Sequence, residues 1–153
     1  MILVSHSVKQ TQKIAADLAR KIIKIKKGAI IALEGELGAG KTVFVKGFAK
    51  ALGIKSKIKS PTFVLMKKYN ASQGKINLYH LDCYRVMSHR DLKIPELKEI
   101  LNMSHNHNVE DAPLQIVVIE WAERVRKIIP KKCITVHIDH IDKKTRKFLI
   151  SNY

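Results

Sequence analysis

Glycines at 35, 38 and 40 lead into Lys41 and Thr42, and two acids, Asp82 and Glu120, each follow an apolar run further along the chain. Glycines at such spacing let successive backbone N–H groups converge on one small volume, because they tolerate positive φ. Lys41 adds a compact positive charge. Thr42 adds a hydroxyl of the kind that ligates a hard divalent cation. Converging donors, an ammonium group and a hydroxyl together suit a chain of phosphates carrying Mg²⁺. The stretch Gly35-Glu36-Leu37-Gly38-Ala39-Gly40-Lys41-Thr42 follows the pattern G-x-x-x-x-G-K-[ST]. In that pattern Lys41 is expected to bridge β- and γ-phosphates and Thr42 to reach the cation, with Glu36, Leu37, Gly38, Ala39, Gly40 and Val43 completing the cradle.

Such a loop works only between the end of a strand and the start of a helix. The apolar run Ala29-Ile30-Ile31-Ala32-Leu33 predicts a buried strand over 29–34. Apolar periodicity predicts a helix over 41–52, ended by Gly53, whose unpaired N–H groups and dipole face the same volume. Upstream, residues 2–5 suit a short edge strand, and Ser7 can cap a helix running to about Ile23. Its apolar face is Ala15, Leu18, Ala19 and Ile22, and Lys26-Lys27-Gly28 is the stop.

Downstream, Thr62–Tyr69 and Lys75–Tyr84 are rich in β-formers, with Asn70–Gly74 as the turn of a hairpin. Residues 88–101 read as helical, with Pro95 breaking or restarting the helix, and the polar stretch 102–113 reads as a mobile loop. Gln115–Glu120 is a buried-type strand, followed by a short helix from Trp121 to Lys127. Cys133–Asp139 and Thr145–Ser151 form a closing hairpin around Asp142-Lys143-Lys144. The expected fold is α/β and P-loop NTPase-like: a mixed, mainly parallel sheet flanked by helices, with antiparallel hairpins, in one domain spanning 1–153.

Hydrolysis of a triphosphate also needs carboxylates at the ends of neighbouring strands, one to steady the cation and one to orient or deprotonate water. Asp82, after Ile76–Leu81, and Glu120, after Ile116–Ile119, occupy such positions. Acids at strand ends also serve as turn or capping residues, and spacing leaves both roles open.

Among 153 residues, 46% hydrophobic, a substantial core can form. No apolar run approaches a membrane span and no secretory segment is evident at the N-terminus, so no membrane partner is expected. Cys83 and Cys133 show no ligand spacing, which suits a reduced, cytoplasmic protein. His105 and His107 lack acids or cysteines at metal-ligand spacing. The net charge of +16 either marks a polyanionic partner such as RNA or reflects a lysine-rich composition with solvated faces.

Four motifs occur in order: Gly35–Thr42, Ser60-Pro61-Thr62-Phe63, His80-Leu81-Asp82-Cys83-Tyr84-Arg85 and Ile119-Glu120-Trp121-Ala122-Glu123-Arg124. In this the chain resembles the TsaE (YjeE) family of bacterial P-loop ATPases, over nearly its whole length. The resemblance implies an ATPase, weak alone and stimulated by partners, that acts with TsaB and TsaD in making threonylcarbamoyladenosine on tRNA. The tRNA is reached through the complex. ATP and Mg²⁺ are the implied cofactors. Lys41, Asp82 and Glu120 take catalytic roles, and Thr42, Asp82 and Glu120 surround the metal. Thr62 falls at a switch-like threonine that senses the γ-phosphate. Trp121 matches a tryptophan beside the acid, the alternative being a core wedge. Thr11 matches a threonine near the adenine and Arg146 an arginine reaching the nucleotide, the alternative for each being a surface or capping role. Val43 replaces a second threonine and Cys83 an aliphatic residue, where a buried thiol packs as a small hydrophobe. Residues 86–114 are longer and more polar than the family pattern, which puts any partner contact made there in doubt.

Two other functions remain open on sequence grounds. A small-molecule kinase would need an acceptor pocket and an arginine lid, which Arg124 and Arg126 imitate over a short segment. A non-catalytic, nucleotide-dependent RNA-binding module would bind tRNA alone. No Asn-Lys-x-Asp guanine signature occurs, so adenine is expected.

Overall fold

The computed structural model describes residues 1–61, 65–87, 95–103 and 112–152. Its elements are β1 (Ile2–Ser5), α1 (Val8–Ile25), β2 (Ala29–Glu34), α2 (Lys41–Ala51), β3 (Met66–Ala71), β4 (Ile76–Asp82), α3 (Pro95–Met103), β5 (Leu114–Glu120), β6 (Ile134–His140) and β7 (Arg146–Ser151). They form a seven-stranded sheet in the order β1-β7-β6-β2-β5-β4-β3. The four central strands β6, β2, β5 and β4 run parallel, and the pairs β1–β7, β7–β6 and β3–β4 are antiparallel. The parallel block is thus the middle of the sheet, flanked by the expected hairpins.

A parallel block must be covered on both faces, which is why Ala29–Leu33 of β2 and Ile116–Ile119 of β5 read as continuous apolar runs. On one face, α1 and α2 lay Ala15, Leu18, Ile22, Phe44, Val45 and Phe48 against Ile31, Leu33, Leu78, Ile116 and Val118. On the other, Leu97, Ile100 and Leu101 of α3, with Ala122 and Val125, cover Ile30, Ala32, Tyr79, Leu81, Val117 and Ile119. The period-2 alternation of strand side chains separates the two sets. It also assigns the polar residues: His80 and Asp82 continue the series from Leu78, and Glu120 the series Ile116 and Val118, on the face that α2 covers.

Ser7 caps α1, accepting from the Gln10 N–H at 3.1 Å. The helix stops at Lys26 in the left-handed region (φ 56°), two residues before Gly28. Gly47 lies where α2 packs directly against the backbone of α1: a Cβ there would sit 2.5 Å from Gln12 Cα. The hairpin turn runs through Ser72–Gly74, and the Ser72 hydroxyl donates to Leu52 O at 3.2 Å, tying the turn to the end of α2.

Two local expectations change. The short helix expected over 121–127 is present as a 3₁₀ segment over Ala122–Ile128, interrupted at Val125, and Trp121 is its left-handed N-cap (φ 59°) rather than its first residue. Asn102 and Met103 belong to α3 rather than to a loop. The remaining residues of that predicted loop up to 111, His105 and His107 among them, lie outside the described residues, as does 88–94. No helix among the described residues is long and apolar enough to cross a membrane.

Candidate functional site

The glycine loop connects the end of β2 to the first turn of α2. Gly40, immediately before Lys41, has φ 104°, which L side chains rarely adopt, so glycine is required there to turn the chain into the helix. Lys41 is buried, and its ammonium group donates to Gly35 O and to Glu36 O at 2.9 Å. The same Nζ lies 3.6 Å from the centre of the Trp121 ring. Burial holds its pKa below the usual lysine value, while the charges of Glu123, Glu120, Asp82 and Glu36 pull it back upward.

Asp82 and Glu120 are register partners across the parallel β4–β5 pair. Each ends its strand and each is buried. The Thr42 hydroxyl donates to Glu120 Oε2 at 2.8 Å, so the first turn of α2 meets the end of β5. The other carboxylate oxygen, Oε1, is bonded to His80 Nε2 at 2.7 Å. Asp82 accepts from the Tyr84 N–H at 3.0 Å through Oδ1, and from the Ser60 hydroxyl through Oδ2. Lys41, Thr42, Ser60, Asp82, Glu120 and Trp121 line one cavity of about 460 Å³.

A second cavity, about 440 Å³, lies against the same loop and shares Gly38, Gly40 and Val43 with the first. Thr11 and Arg146 line it, with His6, Lys143 and Lys144. The Thr11 hydroxyl is 2.7 Å from Ser5 Oγ. Arg146 donates to Ala39 O at 3.1 Å and to Gly38 O at 3.2 Å, and a further donor reaches Asp142 O at 2.7 Å. Arg146 therefore braces the back of the loop from the closing hairpin.

Of the residues expected from sequence, Lys41, Thr42, Asp82, Glu120 and Trp121 gather in one cavity, with Leu37, Gly38, Gly40 and Val43. Thr11 and Arg146 gather in the adjoining one. Glu36 contributes its carbonyl to Lys41, and Leu37 is largely exposed. Thr62 lies outside the described residues. Trp121 is half-buried, with its ring 5.1 Å from that of Tyr84. Burial pushes the Cys83 thiol up to about 12, the environment of an unreactive packing residue.

Sequence reasoning missed the roles of Ser60 and His80 because both act through an acid on a neighbouring segment. Both lie inside recognised motifs, Ser60 in 60–63 and His80 in 80–85, which was the available signal, although neither motif contains the acid that the residue meets. Arg124, read as a lid candidate, is tied to the carbonyls of Tyr84 and Val86 (3.4 Å for the latter). Arg126 reaches Cys133 Sγ at 3.3 Å.

Thr42, Asp82 and Glu120 offer only oxygen donors, the set Mg²⁺ prefers. Among the described residues, no group of three His, Cys, Asp or Glu side chains is arranged to hold a metal by itself. Mg²⁺ does not need such a cage, since it commonly takes one or two carboxylates, a hydroxyl, waters and phosphate oxygens.

Comparison with known proteins gives one family. The family model described as threonylcarbamoyl adenosine biosynthesis protein TsaE matches residues 5–148. A Treponema pallidum protein described as tRNA threonylcarbamoyladenosine biosynthesis protein TsaE is 35% identical over 138 residues, 90% of each chain. A Synechocystis protein of the same description is 43% identical over 101 residues, 66% of this chain and 59% of that one. The crystal structure of Bacillus subtilis YdiB superposes with a TM-score of 0.70 at 28% identity, covering 98% of this chain and 83% of the other. With a family match across nearly its full length and the loop, helix and strand-end acids arranged as described, the chain belongs to the TsaE family of threonylcarbamoyl adenosine biosynthesis proteins.

Proposed function

We propose that this chain is the Mg²⁺-dependent, ATP-hydrolysing component of the tRNA threonylcarbamoyladenosine machinery, acting in the cytoplasm with TsaB and TsaD. The observation that carries the reading is the meeting of Thr42 and Glu120 at 2.8 Å in a cavity that also holds Lys41 and Asp82. The adjoining cavity, with Thr11 and Arg146, takes the nucleoside end of ATP, so that the triphosphate lies along the glycine loop between them.

The residues divide the work by position. Backbone N–H groups of the loop and the first turn of α2 hold the β- and γ-phosphates. Lys41 exchanges its carbonyl contacts for phosphate oxygens and offsets charge there. Thr42 and Glu120 hold Mg²⁺, which when bound neutralises charge that builds on the phosphate oxygens. Asp82, one strand over, orients the water and accepts its proton as the water oxygen bonds to the γ-phosphorus. The bond from that phosphorus to the β–γ bridging oxygen breaks, leaving ADP and phosphate. Thr62, two residues beyond Ser60, senses the γ-phosphate. Turnover by the chain alone is weak, and the partner proteins complete the site.

The test is a reconstitution with TsaB, TsaD, tRNA, threonylcarbamoyl-adenylate and ATP, counting modified tRNA per complex. Modification over many cycles that stops with Lys41→Ala supports the reading. A Lys41→Ala chain that sustains it overturns the ATPase role and favours an RNA-binding module. Transfer of phosphate to a small acceptor instead of water favours a kinase.

A further inference from the structure

His80 is fully buried on β4, the strand next to the β3 edge, between the apolar Leu78 and the strand-end acids Asp82 and Glu120, on the face that also carries Ile116 and Val118. Its one polar contact among the described residues is Nε2 to Glu120 Oε1, 2.7 Å. Nδ1 is buried with no hydrogen-bond partner there. A carboxylate only accepts, so the proton of this contact sits on Nε2 and the uncompensated nitrogen is Nδ1. Leucine would fit the strand position and the surrounding face without burying an unsatisfied nitrogen. The imidazole is therefore poorly explained as core packing, and its contact with Glu120 is what distinguishes it.

Building on the ATPase reading above, we propose that His80 is a positioning residue that clamps Glu120 Oε1, so that Oε2 is held toward the Thr42 hydroxyl and the cation. A glutamate ending a strand has three side-chain torsions to fix. The Thr42 hydroxyl is itself called on by the cation when Mg²⁺ binds, so it cannot be the lasting anchor. His80 is fully buried, outside the cavity lining, and its bond to Oε1 meets no such competing demand. Second-layer partners of metal-binding carboxylates act in this way, fixing the orientation of the ligand group.

The test compares His80→Leu with His80→Gln, whose amide nitrogen can supply the lost donor. Nucleotide binding is read from the fluorescence of Trp121, the single tryptophan, with EDTA and across a Mg²⁺ titration, and turnover is measured in parallel. His80→Leu is expected to bind ATP in EDTA like the parent, to need about 10- to 100-fold more Mg²⁺, and to lose kcat with little change in KM. His80→Gln is expected to recover most of both. An unchanged Mg²⁺ requirement in His80→Leu overturns the proposal, as does a His80→Gln chain no better than His80→Leu. If His80→Leu does not fold, the Mg²⁺ requirement of His80→Gln decides: near the parent supports the clamp, raised as above overturns it. A parent chain that binds no nucleotide with or without Mg²⁺ brings down the ATPase reading itself, and the clamp with it.

Discussion

Thr42 and Glu120 are 78 positions apart in the chain, yet the Thr42 hydroxyl donates to Glu120 Oε2 at 2.8 Å. This contact joins the first turn of α2 to the end of β5, and it sits beside Asp82 on the next strand. Three hard oxygen donors from three elements thus line one wall of the cavity.

The acids should separate binding from chemistry. Asp82→Ala is expected to lower kcat by about 10² to 10⁴-fold, the usual loss for a removed acid–base group, while ATP affinity stays within a few-fold. Glu120→Ala should instead raise the Mg²⁺ requirement. Isothermal titration with and without Mg²⁺, alongside phosphate release, checks both. Equal loss of binding and turnover in the two variants would make them pocket-builders only.

Lys41 gives a pH dependence of known sign. Burial lowers its pKa from the ordinary 10.5, so the ammonium form is lost at a lower pH than for a free lysine. Only the charged form attracts phosphate. ATP affinity should fall as the pH rises through that lowered value, and binding there should take up a proton. Lys41→Arg, which stays charged, should flatten this alkaline limb at reduced affinity. Fluorescence titration of Trp121 from neutral to alkaline pH makes the measurement.

Arg146 holds the outer side of the glycine loop through Gly38 O and Ala39 O. Arg146→Ala removes charged donors from a partly exposed position, and ATP affinity should drop by roughly tenfold, the low end for such bonds. Equilibrium binding of ATP checks this, and an unchanged Kd would leave Arg146 a surface residue.

Gly47→Ala tests the packing that carries α2. Alanine gains up to about 1 kcal/mol in helix propensity. Its Cβ, however, would meet Gln12 Cα at 2.5 Å, a backbone clash. Overpacking costs about 1–3 kcal/mol, so a net loss near 1 kcal/mol is expected in urea unfolding.

Much of this architecture was legible because its signals are local. The run Ala29–Leu33 can be satisfied only as a buried strand, and the Gly35–Thr42 spacing turns it into a helix. Ser7 caps α1, and Ala15, Leu18, Ala19 and Ile22 recur at helical period and are buried as read. Where local signals misled, backbone conformation intervened. Trp121 takes a left-handed N-cap conformation where a first helical residue was expected, whereas α1 ends at Lys26, inside the expected stop Lys26-Lys27-Gly28. Residues acting through a partner gave no local sign of it: Ser60 matters by its bond to Asp82, and His80 by its bond to Glu120.

From sequence alone, the chain determined that a glycine loop of the phosphate-binding pattern sits between a buried strand and a helix, and that acids end two further strands. Both follow from periodicity and backbone preference within a few residues. Only tertiary structure decided that Asp82 and Glu120 are register partners, that Glu120 faces Thr42, and that Arg146 reaches back to the loop. Those relations depend on which strands pair and in what register, a choice made by burying both faces of the whole sheet at once.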